Sequence, residues 1–256
     1  KAMKKTTRTQ AVEKGFPMRA TAYALTLLLL LCAIPGAALA QECDKPNMLI
    51  VLDKSGSMDG QKWTDARNAV QYILNNYGTQ IRWGLTLFPT DSGCGPGGIN
   101  VGVGDNTSTA IMAALPSSST WPSGGTPTGD TLQTANQYIG IHDPTRLNYV
   151  MLITDGDPTC PNGGGSSAND ADTNLAINAC ASLFASGVKT FVIGMTGATE
   201  ANLLKFAQAG GTVSHYMTSN QAQLQAAMTA VVQVATTRPC QNACGSGTES
   251  CDLVTK

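Results

Sequence analysis

The sequence is poor in charge, in aromatic side chains and in histidine. Only 13% of its 256 residues are charged and 5% are aromatic, while 42% are hydrophobic. This composition is that of a globular protein, and it excludes a disordered acidic or basic chain, a coiled coil and a collagen-like repeat. His142 and His215 are the only histidines, so a His-Glu-x-x-His zinc protease is excluded as well. A Gly-Lys-Ser/Thr phosphate loop and a Gly-x-Ser-x-Gly nucleophile turn are also absent from the sequence.

The basic residues are concentrated at one end of the chain. Six of the 16 Lys and Arg, but only one of the 17 acids, lie in residues 1–19. From Gln41 onward there are ten basic and sixteen acidic side chains, a net charge of -6, with no basic cluster. A protein that follows a phosphate backbone needs such a cluster. Nucleic-acid binding is therefore not expected.

Behind the basic segment lies a short apolar run, residues 20–34, followed by Pro35, Gly36 and Ala38-Leu39-Ala40. This order is typical of a secretory signal peptide. The run is shorter than the roughly 20 apolar residues that a membrane-spanning helix needs, which favours a cleaved signal over an anchor. We predict translation from Met18 and cleavage after Ala40, with residues 1–40 as upstream sequence and signal. The mature chain would be secreted, periplasmic or on the cell surface, without a membrane span.

Removal of that segment leaves an odd number of cysteines. The mature chain keeps seven of eight, at positions 43, 94, 160, 180, 240, 244 and 251. In an oxidising compartment disulfides are expected rather than thiolate metal sites, and one thiol stays unpaired within the chain. Residues 239–256 hold three of these cysteines and read as a Cys-rich tail, the start of a further module or a stalk.

Between residues 47 and 235, apolar runs alternate with amphipathic stretches. The runs predict buried strands and the stretches predict helices. The predicted strands are residues 47–53, 81–88, 148–155 and 188–195, with a short, Gly-rich antiparallel edge strand at 98–104. The predicted helices are residues 61–77, 129–141, 170–186, 199–209 and 220–234. Such an alternation predicts an α/β fold, a doubly wound and mainly parallel sheet with helices on both faces, in one domain at residues 41–238.

Oxygen-bearing side chains follow the ends of these predicted strands. The first strand ends in Asp53, with Ser55 and Ser57 directly after it. The strand at residues 148–155 ends in Asp155, and Thr126 lies in a Gly-rich loop before a helix. In doubly wound sheets ligands bind at the carboxyl ends of the strands. An all-oxygen set without histidine or thiol selects a hard cation, Mg²⁺ with Mn²⁺ or Ca²⁺ as alternatives, over zinc.

This ordered set resembles the metal-ion-dependent adhesion site of the von Willebrand factor A (integrin inserted-domain-like) family. The resemblance covers residues 47–235 and rests on an Asp-x-Ser-x-Ser motif (Asp53, Ser55, Ser57), Thr126 in Gly-Gly-Thr-Pro-Thr-Gly, and Asp155 in Ile-Thr-Asp-Gly-Asp. It implies that the two Ser and the Thr bind the metal directly or through water, and that the acids bind it or hold its waters. An open position on the metal then accepts a Glu or Asp from a protein or matrix partner.

The resemblance also implies disulfides. The chain ends approach one another in this family, which suggests a bridge between Cys43 and Cys240. Separately from the resemblance, the positions of Cys160 and Cys180 suggest a bridge from the Gly-rich loop after Asp155 to the next helix. The alternative is that Cys180 is a buried thiol in that helix.

Three functions compete at this point. The first is a secreted, non-catalytic, cation-dependent binding or adhesion module. The second is a Mg²⁺-dependent phosphohydrolase, which needs a second acid two residues after a nucleophilic Asp53, where this sequence has Ser55. The third is a structural head on a surface fibre, with metal needed only for stability.

Overall fold

The computed structural model describes residues 44–117 and 124–237. The strands are β1 (Asn47–Asp53), β2 (Arg82–Phe88), β3 (Gly98–Gly104), β4 (Asn148–Thr154), β5 (Val188–Met195) and β6 (Tyr216–Thr218). The helices are α1 (Gln61–Tyr77), α2 (Ser108–Ala114), α3 (Thr128–Gln137), α4 (Asp170–Ala185), α5 (Glu200–Ala209) and α6 (Gln221–Thr236). Short 3₁₀ turns lie at Gly56–Met58 and Ile139–Ile141.

The strands form one six-stranded sheet in the order β3-β2-β1-β4-β5-β6. All neighbours are parallel except β2 and β3, which pair antiparallel. The strand order reverses between β1 and β4, the two central strands. Asp53 ends β1 and Asp155 directly follows β4, so both aspartates lie at the reversal point, where doubly wound sheets bind ligands.

Helices cover both faces of the sheet because the central strands are apolar on both sides. Along β1 all seven residues are buried, and alternate side chains enter two separate cores. Met48, Ile50 and Leu52 pack with α1, α2 and α6. Leu49 and Val51 pack with α3, α4 and α5. The predicted doubly wound α/β fold, including its antiparallel edge strand, is therefore confirmed.

Two helical segments differ from the sequence prediction. The helix expected at residues 129–141 ends at Gln137, because Tyr138 is extended, with ψ 110°. The Tyr138 hydroxyl accepts a hydrogen bond from the amide of Val103 at 2.9 Å, so the extended Tyr138 is tied to β3. Helix α2 was not predicted. It has only seven residues, and Ile111 is its one fully buried side chain, too little for a periodic apolar pattern.

Several predictions lie outside the described residues. They concern the signal segment at residues 1–40, the Cys-rich tail at 239–256 and the bridge between Cys43 and Cys240. Within residues 44–117 and 124–237, no helix combines the length and the apolar character needed to cross a membrane.

Candidate metal centre

Asp53 is held at the end of β1 by both of its oxygens. Its side chain is fully buried. The amide of Ser55 donates to Oδ1 at 2.7 Å, and the hydroxyl of Thr154 donates to Oδ2 at 2.6 Å. Thr154 is the last residue of β4, so this contact ties the ends of the two central strands together.

Asp155 lies beside Asp53 and is held from a different direction. The Ser57 hydroxyl donates to its Oδ1 at 2.8 Å, and Lys62 Nζ lies 2.5 Å from its Oδ2. The hydroxyls of Ser55 and Ser57 are themselves 3.1 Å apart. Ser57 is exposed, whereas Ser55 and Asp155 are buried, so Ser57 marks the side of the site that faces solvent.

Thr126 reaches the same place from the Gly-rich loop before α3. A methyl group built on Gly156 would lie 3.8 Å from Ser57 Oγ and 4.0 Å from Thr126 Oγ1. The two hydroxyls therefore face one small space above Gly156, which the missing side chain leaves open. The structure thus brings together all five predicted ligands, Asp53, Ser55, Ser57, Thr126 and Asp155.

The backbone of Thr126 is fixed by the loop that follows β4. The Thr126 amide donates to the hydroxyl of Thr159 at 2.8 Å, and the Thr159 amide donates to the carbonyl of Thr126 at 3.2 Å. This reciprocal pair ties the backbone of Thr126 to the loop that begins with Asp155. Sequence reasoning missed Thr159, because nothing in its local pattern shows a partner 33 residues away.

The site has an excess of negative charge. Burial and the neighbouring charge of Asp155 raise the pKa of Asp53 to about 7, although hydrogen bonds from Thr154 and Ser55 act in the opposite direction. A cation placed between the two carboxylates would remove this repulsion. The donors are two carboxylates and three hydroxyls, all hard oxygens, so the residues present fit Mg²⁺ or a similar ion.

Acidic side chains alone do not reveal this centre. Among residues 44–117 and 124–237, no group of three or more His, Cys, Asp or Glu side chains is placed to hold a metal. The predicted set has only two such residues, and its other ligands are neutral hydroxyls. A search for acidic, histidine and cysteine clusters therefore does not detect a site of this composition, whereas the ordered sequence motif predicts it.

One disulfide lies close to the loop that carries Thr126, and its pairing differs from the prediction. Cys160 bonds to Cys94, with the Cα atoms 5.6 Å apart, so the pairing of Cys160 with Cys180 is wrong. Cys180 is a free, fully buried thiol on α4, which confirms the alternative for that residue. Burial raises the pKa of the Cys180 thiol to about 12. Spacing could not show that the loop after β2 folds back to meet the loop after β4.

The Cys94–Cys160 disulfide packs against the loop that carries Thr126. A methyl group built on Gly125 would lie 2.6 Å from Cys160 Sγ and 2.4 Å from Gly165 Cα. The Gly125 amide donates to the carbonyl of Gly93 at 2.8 Å. Residues 89–97, 124–127 and 156–169 therefore form one cross-linked group, which we call the loop cluster, and only a glycine fits at position 125.

Solved structures share the fold of this chain at low sequence identity. Proximal thread matrix protein 1 from the mussel byssus is 20% identical with a TM-score of 0.54, over 73% of this chain and 45% of that chain. The pilus adhesin SpaC from Lactobacillus rhamnosus GG is 18% identical with a TM-score of 0.57, over 76% of this chain and 31% of that chain. This chain thus spans less than half the length of either protein.

One of these structures is described with a metal. The mussel protein "with zinc occupied MIDAS motif" is 20% identical with a TM-score of 0.56, over 75% of this chain and 46% of that chain; MIDAS stands for the metal-ion-dependent adhesion site. A comparison with curated proteins gives no match. The sequence model of the von Willebrand factor type A domain matches residues 47–231, which is most of the chain. The chain therefore belongs to the von Willebrand factor type A domain family.

Proposed function

We propose that this domain binds a divalent cation, Mg²⁺ in the first place, through Asp53, Ser55, Ser57, Thr126 and Asp155. The cation then binds a Glu or Asp carboxylate of a protein or matrix partner. The observation that carries the proposal is the convergence of two buried carboxylates and three hydroxyls on one space at the reversal point of the sheet.

The mixture of charged and neutral ligands suits a binding function. Two carboxylates balance a divalent ion, while neutral hydroxyls leave it able to attract a further anionic oxygen. Four or five carboxylates would hold the ion more tightly but would repel an acidic partner. Ser57, the exposed member of the set, lies where a partner would approach.

The phosphohydrolase alternative finds less support. Its nucleophile must be able to meet a substrate, yet Asp53 is fully buried and both of its oxygens accept hydrogen bonds. The position of its general acid is occupied by Ser55, whose amide is bound to Asp53. We expect no hydrolysis of p-nitrophenyl phosphate in Mg²⁺; turnover that disappears in Asp53→Asn would favour the enzyme instead.

Calorimetry with Mg²⁺ and Mn²⁺ tests the metal assignment. Asp53→Asn keeps the size of the side chain but removes its charge, and we expect it to abolish measurable binding. Asp59→Asn is the matched control, because Asp59 is an exposed acid in the same loop that accepts from the Gly60 amide. Unchanged affinity in Asp53→Asn, or equal losses in both variants, would contradict the assignment.

A pull-down from the native surroundings tests the second half of the proposal. We expect a partner that is retained in Mg²⁺ and released by EDTA. Metal binding without any chelator-sensitive partner would favour the structural head of a fibre, in which the cation only stabilises the domain.

We also propose that the mature domain is exported. The support comes from the signal-like residues 20–40 and from the Cys94–Cys160 disulfide, a bond typical of oxidising compartments. Sequencing the amino terminus of the protein recovered from its source should give Gln41 as the first residue. A terminus that retains residues 20–34 would contradict cleavage.

A further inference from the structure

The metal centre includes a lysine that the family motif does not explain. Lys62 lies in the first turn of α1, and its Nζ is 2.5 Å from Asp155 Oδ2. The Lys62 side chain is 32% exposed, whereas the Asp155 side chain is 0% exposed. The ammonium group therefore reaches from the surface to a carboxylate that water does not reach.

The fold leaves room for this lysine at one particular position. Gly197, in the loop after β5, has a φ of +121°, which side-chain-bearing residues rarely adopt. A methyl group built there would lie 3.4 Å from Lys62 Nζ and 2.6 Å from the carbonyl oxygen of Asp155. A side chain at position 197 would thus press on the space in which the ammonium and Asp155 meet.

Lys62 is not needed to hold the Asp155 carboxylate in place. The hydroxyl of Ser57 already donates to the other carboxylate oxygen, and the backbone on one side is fixed by Thr154, which is bound to Asp53. What Lys62 adds is a positive charge. Among the other charged groups nearby, Lys54 interacts more strongly with Asp91 than with Asp53. Burial lowers the pKa of Lys54, and Asp91 opposes this more than Asp53 does. Asp157 accepts hydrogen bonds from Thr199 and Asn202 at the start of α5.

The charges of the centre then determine what it attracts. Asp53 and Asp155 carry -2 when ionised, and Lys62 reduces this to -1. A divalent cation would bring the centre to +1, whereas without Lys62 the loaded centre would be neutral. The cation attracts an anionic oxygen in both cases, but a loaded centre at +1 attracts an anion more strongly than a neutral one.

We propose that Lys62 is a built-in counter-cation that determines the specificity of the centre for an anionic partner. This inference rests on the proposed function and deepens it. Lys62 competes with the metal for Asp155 and therefore weakens metal binding. Lys62 also gives the metal-loaded centre its positive charge, which the partner's carboxylate neutralises when it binds.

The experiment compares Lys62→Met, Lys62→Arg and Lys189→Met in the full chain. Methionine keeps the unbranched shape without the charge, and arginine keeps the charge. Lys189 is an exposed lysine near the start of β5, at the opposite end of the sheet, and serves as the control. Calorimetry gives the Mn²⁺ affinity, and the relaxation of water protons by bound Mn²⁺ reports the binding of acetate to the loaded centre.

We expect Lys62→Met to bind Mn²⁺ about tenfold more tightly and acetate about tenfold more weakly than the wild type, a coupling usual for charges in contact. Lys62→Arg and Lys189→Met should stay close to the wild type in both. Looser Mn²⁺ binding in Lys62→Met would mean that Lys62 only positions Asp155, and unchanged acetate binding would mean that it does not select the anion. Either result overturns the inference.

The same variants separate this inference from the proposed function. A wild type that binds no divalent cation contradicts the proposed function itself. In that case the thermal stability of the metal-free protein still tests the counter-cation, because Lys62→Met leaves a buried carboxylate without its ion-pair partner and Lys189→Met does not. Equal melting temperatures of these two variants would overturn the inference in the metal-free protein.

Discussion

At the residue scale, the two aspartates of the proposed metal centre are held by different kinds of neighbours. Asp53 accepts from the Ser55 amide and the Thr154 hydroxyl, groups that belong to the ends of β1 and β4. Asp155 accepts from Ser57 and Lys62, which lie on the solvent side. Asp53 is therefore fixed by the sheet, while the contacts of Asp155 come from groups that a metal or a partner can displace.

Variants of Thr126 test whether this residue contributes more to metal affinity or to partner affinity. Thr126→Val removes one neutral oxygen and keeps the side-chain shape, so we expect Mg²⁺ affinity to fall by no more than about tenfold, the size of one neutral polar contact. Thr126 shares the space above Gly156 with the exposed Ser57, where we propose that the partner approaches, so the loss for acetate or a protein partner should be larger. Thr126→Ser retains the hydroxyl and is the control. Equal losses for metal and partner would contradict this division.

Asp172 gives the domain a pH-dependent stability. Asp172 is fully buried, and burial alone would raise the pKa of its carboxyl group. Hydrogen bonds outweigh this effect and lower the pKa below the ordinary value. The donors are the backbone amides of Asn162 and Gly163 and the side chains of Asn162 and Asn169. A lowered pKa in the folded state stabilises the protein above the unfolded-state pKa of roughly 3.9, and this stability is lost as the pH falls through the folded-state pKa.

We therefore expect Asp172→Asn to lower the free energy of unfolding at pH 7 by about 1.5–3 kcal/mol, the value of a charge-assisted hydrogen bond. Urea unfolding at several pH values is the measurement. The difference from the wild type should shrink below about pH 4. Asp170→Asn, at an exposed position two residues earlier in the same helix, is the control. A difference that stays constant with pH would show that the charge of Asp172 contributes nothing.

At the scale of elements, the proposed metal centre depends on loops that the sheet alone does not position. Strands β1 and β4 fix Asp53 and Asp155, but Thr126 lies in the loop cluster. That cluster is joined by the Cys94–Cys160 disulfide, the Gly125 amide bond to Gly93 and the Thr126–Thr159 pair. One of the five proposed ligands is thus positioned by a cross-link rather than by a strand.

Breaking that cross-link should affect both stability and the site. For Cys94→Ala combined with Cys160→Ala, the chain-entropy model gives a loss of up to about 4 kcal/mol for a separation of 66 residues. We expect partner or acetate affinity to fall as well, because Thr126 is no longer held. Chemical unfolding and acetate titration of the Mn²⁺-loaded protein measure the two effects. Cys180→Ala, which removes a thiol but no bridge, should leave acetate affinity unchanged; a loss there equal to that of the double variant would contradict the role of the bridge.

The elements that could be predicted from sequence are those whose signal is local. Strand β1 and the Asp-x-Ser-x-Ser motif are contiguous, so the apolar run and the ligands after it are visible together. Lys62 and Thr159 act through contacts 93 and 33 residues away, and no local pattern marks such partners. Cys94 could not be paired either, because the path of its loop is set by β3 turning back antiparallel to β2. Tertiary contacts therefore determine what the sequence prediction missed.

At the scale of the whole molecule, a bound cation should stabilise the fold, because its ligands come from segments far apart in the chain. Mg²⁺ at 100 times its Kd should add about 2.7 kcal/mol, a rise in Tm of roughly 5–10 °C for a domain of this size. Thermal unfolding in Mg²⁺ and in EDTA checks this. Asp53→Asn should show no difference between the two conditions, whereas a similar rise in that variant would place the stabilising ion elsewhere.

The central position of β1 and β4 has a mechanical consequence. A partner anchored at the metal would pull on Asp53 and Asp155, the ends of two neighbouring strands that are each hydrogen-bonded on both sides. The load then runs along the strands and shears these bonds together instead of opening them one at a time. In single-molecule pulling, tethers attached at residues 53 and 148 should require higher force than tethers that peel off β6, a three-residue edge strand paired on one side only. Equal forces would show that the sheet does not carry the load in this way.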